Sequence, residues 1–184
     1  MGKNAIRERN IIRNMVLAAM FLAIGLLLPF VTGQIPEIGK KLLPMHIPAL
    51  LCGFICGPWY GAVIGFIMPV LRSLIMGGMP PLVPTAIPMA FELLAYGMVA
   101  GLLYRLLKKN MVCLYISLIV AMLAGRMMWY GASYLVYTMM DSVFTSKMFL
   151  LGAFMNAIPG IIIQLAIIPP IVNIVMKMNR DYYR

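Results

Sequence analysis

Acidic side chains are scarce in this chain. Its 184 residues hold 5 Asp and Glu against 15 Lys and Arg, with a single histidine. There is no serine–histidine–acid arrangement, no HExxH and no GxxxxGK[ST] loop. Hydrolysis, metal catalysis and nucleotide binding therefore lack their parts, and the expectation is a protein that is not an enzyme, with no cofactor and no metal. Cysteine is sparse as well. Cys52, Cys56 and Cys113 all sit in apolar runs, and Cys52 and Cys56 stand four apart on one helical face. That set is too small and too apolar for a metal site, so they read as buried thiols. No polar stretch is long enough to build a soluble domain.

What is present is apolar. Hydrophobic residues make up 63% of the chain and charged ones 11%, at a mean hydropathy of +0.96. A soluble domain of this size would expose far too much apolar surface, so the class is an all-α polytopic membrane protein. Nineteen methionines and sixteen glycines suit close helix packing. The net charge of +10 reports topology and not a nucleic-acid partner. Lys3, Arg7, Arg9 and Arg13 precede the first apolar run, Arg105, Lys108 and Lys109 fall in one turn, and Lys177, Arg180 and Arg184 close the chain. An even number of spans puts these three segments on one face, the positive-inside pattern, with both termini cytoplasmic. The first run is followed by Thr32-Gly33-Gln34-Ile35-Pro36 and not by a small-residue cleavage site, so it reads as a span and not a signal peptide.

Six apolar segments are expected to cross the membrane, at about 12–31, 42–56, 59–76, 85–107, 111–138 and 148–176, as one integral membrane domain. The second is short for a bilayer that needs about 20 residues. The outward connections are the longer ones, which suggests a ligand arriving there. No inverted repeat of the secondary-carrier kind is evident. Pairs of small residues four apart mark packing faces: Gly61 with Gly65, Gly97 with Gly101, and Ala19 with Ala23. On the first helix that face is equally suited to another protein.

Four polar side chains on four helices converge on one level of the outer half. At 1.5 Å per residue, Arg72 lies roughly 20 Å and Arg126 roughly 22 Å above the cytoplasmic side. Glu92 and Asn156 lie about two turns below the outer ends of their helices. Ionisable groups at such depth face a protein interior or a watered cavity. The Gly77–Pro84 turn between Arg72 and Glu92 carries no charge. Arg72 and Glu92 can pair as a structural bridge or both meet a ligand. If they pair, Arg126 is left without an intramembrane acid, and a guanidinium in a hydrated cavity suits a ligand carboxylate or phosphate. Arg126, Trp129, Tyr130, Ser133, Tyr134 and Tyr137 form one stripe of the fifth helix. Trp129 and Tyr130 read as a stacking wall for a ring, or with Tyr134 and Tyr137 as an interfacial belt. Asn156, Gly160 and Gln164 share a face of the sixth helix, where the amides either bind ligand or bridge helices. His46 opens the second helix, in the role of a structural hydrogen-bonder.

Together these features resemble the substrate-binding membrane subunits, or S components, of energy-coupling factor vitamin transporters. The resemblance rests on the length, the spans, the basic start before Ala19-x-x-x-Ala23, and the glycine-rich Gly53–Gly65 segment around Gly57-Pro58-Trp59. Met79-Pro80-Pro81, Met89-Ala90-Phe91-Glu92 and Tyr96-Gly97 are similar to one branch of that family. It implies a six-helix bundle that binds a vitamin or precursor at its outer end. It also implies a transmembrane coupling subunit docked on Ala19 and Ala23, and two cytoplasmic ATPases. The expected substrate-binding residues are Arg72, Glu92 and Tyr96 with Arg126, Trp129, Tyr130 and Asn156, for a small ring compound of anionic or zwitterionic character. Two other readings stay open: a stand-alone carrier coupled to protons through Glu92, and a small membrane enzyme or assembly factor without transport.

Overall fold

The computed structural model describes residues 3–31, 42–108, 110–142, 145 and 157–182, and the elements are helical. In chain order they are α1 (Lys3–Val31), α2 (His46–Cys56), α3 (Pro58–Ile75), α4 (Ile87–Leu106), α5 (Met111–Met139) and α6 (Ile158–Tyr182). A π-turn, Leu82–Ala86, leads into α4. All but α2 are long and apolar enough to cross a membrane. Exposed apolar side chains, from Ile12 and Leu27 to Trp59, Leu135 and Ile162, coat the outside of the bundle. That surface is stable only against lipid or a partner.

The expected second span, 42–56, is helical over His46–Cys56. The helix has 11 residues and is about 16 Å long, short of the hydrocarbon core, as its apolar run suggests. Nine of its residues are buried. It is a core helix wrapped by α1, α3, α4 and α6. An apolar run of this length is more readily enclosed by protein than stretched across lipid. The described part of α6 begins at Ile158, ten residues after the expected 148, and Asn156 lies outside the described residues.

Helices α2, α3 and α4 meet backbone to backbone. A Cβ on Gly53 would overlap the Gly97 carbonyl, one on Gly97 would overlap the Gly61 backbone, and one on Gly65 would overlap the Leu93 carbonyl. The paired small residues of α3 and α4 are therefore contact points within the bundle, where bare backbones let helices approach closely. The α2–α3 reversal needs a glycine: Gly57 has φ 110, and its amide donates to the Cys52 and Gly53 carbonyls. Arg105 Nη2 and Asn14 Nδ2 both donate to the Cys56 carbonyl, at 3.3 and 3.4 Å. This supplies donors to the otherwise open C-terminus of α2. Asn110 starts α5 by accepting the Cys113 amide at 2.8 Å. Helix α4 packs on α2, α3 and α5, α1 covers α2 and α3, and α6 closes on α2 and α5.

Candidate functional site

The N-terminal portions of α2 and α4 and the middle of α5 bring four polar side chains together in an apolar bundle. Glu92 is 2% exposed, His46 1%, Arg126 6% and Tyr96 0%. Glu92 Oε1 lies 2.7 Å from Arg126 Nη1 and 3.4 Å from His46 Nε2. The His46 and Tyr96 rings meet edge to face, with centroids 5.3 Å apart. Glycine explains why Tyr96 fits against α5: a side chain on Gly125 would collide with the Tyr96 ring. That packing turns α4 so that Glu92, one turn from Tyr96, meets Arg126, the residue after Gly125.

The pairing differs from the one the sequence suggests. Glu92 takes Arg126, and Arg72 is left without a carboxylate among the described residues. Arg72 ends α3, whose outer portion packs against the α2 start, and its Nη1 donates to Met45 Sδ at 3.3 Å. Met45 belongs to a small apolar cluster with Ala49, Met68 and Leu93, flanked by Leu22, Leu26 and Met89. Arg72 thus rests half-buried on a methionine-lined layer, with its Nε lacking a hydrogen-bond partner among the described residues. The expectation of an acid-free Arg126 in a hydrated cavity is overturned for this state. The neighbouring helix already supplies its counter-charge.

The cluster is matched in charge but not in hydrogen bonding. Glu92 Oε1 is held by Arg126 and His46, while His46 Nδ1 and Arg126 Nη2 have no hydrogen-bond partner among the described residues. Buried polar atoms normally find partners. Each one left over costs about 1–3 kcal/mol. Such a group can be completed by another polar molecule, which is what a binding site requires.

The remaining residues divide by exposure. Trp129 and Tyr130 are half-buried one turn beyond Arg126, while Tyr134 is 54% exposed on the outside of the bundle. Ser133 is buried, so the inward stripe of α5 continues past Arg126 to that level. Ala19 and Ala23 are exposed, whereas Ala18, Phe21 and Gly25 on the same helix turn inward. Cys52 and Cys56 are buried free thiols. Sequence reasoning left two contributors out of the site. His46 is a direct neighbour of Glu92, and Met45 carries Arg72. The Leu43–Pro48 segment, with prolines at 44 and 48 and an intramembrane histidine, is the signal that marks both.

Comparison with curated proteins and with solved structures gives no match. The sequence model for "ECF transporter, substrate-specific component" matches residues 13–172, which takes in α1 through most of α6. With an apolar bundle and a polar cluster at its heart, the chain belongs to the substrate-specific components of ECF transporters.

Proposed function

We propose that this chain is the high-affinity substrate-binding subunit of an ECF-type importer for a small vitamin or vitamin precursor. It captures the compound at the outer side of a bacterial plasma membrane, as one membrane domain with cytoplasmic termini. It works with a transmembrane coupling subunit and two cytoplasmic ATPases that hydrolyse ATP. The observation that carries this reading is the family match over residues 13–172. The geometry supports a ligand with a ring and an acidic group. Arg72, half-buried and without a carboxylate among the described residues, offers a fork of donors to an anion. Trp129 and Tyr130 offer flat faces for a ring. Glu92, Arg126 and Tyr96 form the polar floor, and Asn156 is proposed as a further contact. Reliance on Glu92 as the proton site of a stand-alone carrier is disfavoured, because its charge is already opposed by Arg126 at 2.7 Å.

The test is reconstitution. In liposomes, the chain alone should bind a labelled compound from a panel of riboflavin, thiamine, folate and biotin without accumulating it. Adding coupling subunit and ATPases should make uptake ATP-dependent. Accumulation against a gradient by the chain alone would sink the proposal.

A further inference from the structure

Gln164 is 0% exposed in the second turn of the described part of a membrane-spanning helix, and both its Nε2 and its Oε1 lack a hydrogen-bond partner among the described residues. An amide that ties helices together has the opposite signature, at least one satisfied bond to its neighbour. It lies on the buried stripe Gly160, Gln164, Ile168 and Val172, on the helix that packs against α2 and α5. Those are the helices that carry His46 and Arg126.

Its helix reaches the same apolar core as the helices of the polar cluster. Ile168, one turn further along that stripe, belongs to the apolar core that also holds Leu50, Tyr96 and Met122. His46, Glu92 and Arg126 each stand four residues from one of these three, and Gln164 stands four from Ile168. On the three outward-starting helices the step runs towards the N-terminus, and on the oppositely directed α5 it runs towards the C-terminus. Residues four apart share a helix face, so each step is one turn from the same core. Gln164 brings to the cluster what its other members lack, a neutral group that presents donor and acceptor side by side.

We propose that Gln164 is a specificity-determining residue of the substrate site, reading an adjacent donor–acceptor edge on the ligand's ring, as in a cyclic amide, a ureido group or an aminopyrimidine. This rests on the binding-subunit reading above. The amide forms two antiparallel hydrogen bonds with such an edge, while Arg72 meets the acidic group.

The test uses the full chain in nanodiscs with Gln164→Met, which removes the amide at nearly constant volume. Riboflavin, biotin, thiamine and folate carry the edge. Lipoate, a ring with a carboxylate, lacks it. Melting temperature without added compound and dissociation constants by calorimetry are measured for both proteins. Of the four, only biotin and folate also carry a carboxylate for Arg72, so the expected result is a wild type that binds one of these two and not lipoate, and a variant that binds the same probe at least tenfold more weakly. The melting temperature of the probe-free variant should equal or exceed that of the wild type. Equal affinity in the variant, or a preference for lipoate, overturns the role of Gln164 while leaving the binding-subunit reading in place. A lower probe-free melting temperature or failure to fold shows that the amide is a structural tie and overturns it too. If no probe binds the wild type, the assignment of Gln164 to these ring edges is overturned, while the binding-subunit reading stands on its own reconstitution test.

Discussion

Arg126 sits where the bundle can least tolerate an unmatched charge. It is 6% exposed and 2.7 Å from Glu92, which is itself 2% exposed. Removing one partner strands the other in a low dielectric, at a cost of about 3–5 kcal/mol. Arg126→Ala and Glu92→Gln should each lower the melting temperature of the ligand-free protein markedly. Combining Glu92→Gln with Arg126→Met should be less harmful than the sum of the single changes, because neither charge is then left alone. Thermal unfolding of the wild type and the three variants measures this coupling, and strictly additive losses would mean the two groups do not support one another. Arg72 is the contrasting case. It is half-buried, rests on the Met45 thioether, and opposes no carboxylate among the described residues. Arg72→Ala should therefore leave the melting temperature nearly unchanged while weakening binding of an acidic ligand about tenfold or more, the scale of a charged hydrogen bond. Calorimetry alongside unfolding separates the two arginines, and a large loss of ligand-free stability at Arg72 would reverse the assignment.

At the scale of elements, α4 is held by bare backbone contacts. Gly97 faces Gly61, Gly53 faces Gly97, and Gly101 faces Gly53 and Pro58, each so closely that a methyl group would overlap main-chain atoms. Main chain cannot swing aside as a side chain can, so Gly97→Ala should push α4 from α2 and α3. The expected destabilisation is about 1–3 kcal/mol, read as a lower melting temperature. Since Glu92 and Tyr96 ride on α4, ligand binding should weaken with it. Gly131, where an added Cβ meets nothing within 4 Å, is the internal control. Its alanine variant should melt like the wild type, and similar behaviour of the two variants would remove close packing as the cause.

On the scale of the whole molecule, the described part of α1 divides its faces. Ala18 and Phe21 are buried, and Gly25 lies against Met68, while Ala19 and Ala23 point outward with Met15, Val16 and Met20. Adding bulk outward disturbs nothing inside. Ala19→Leu with Ala23→Leu should leave melting temperature and ligand affinity unchanged but abolish ATP-driven uptake with the partner subunits, because leucines would block close helix approach. Undiminished uptake with an intact complex would show that the partner docks elsewhere.

Composition and charge placement were enough to settle the membrane class, since a chain 63% hydrophobic has no other stable surroundings. The resemblance read from its motifs agrees with the family match. Small residues four apart located the packing faces of α3 and α4, because side-chain size acts locally and is read directly from sequence. The partner of Glu92 was not legible that way. Helix periodicity put Arg72, Glu92 and Arg126 at similar depth, but depth leaves the rotation of each helix free. Rotation was decided by Tyr96 seating against Gly125, which aims Glu92 at α5, and by Met45 receiving Arg72. The shortness of α2 was legible in its apolar run, but its burial was a tertiary outcome. Its apolar residues suit lipid and protein equally, and only enclosure by four neighbouring helices made it core.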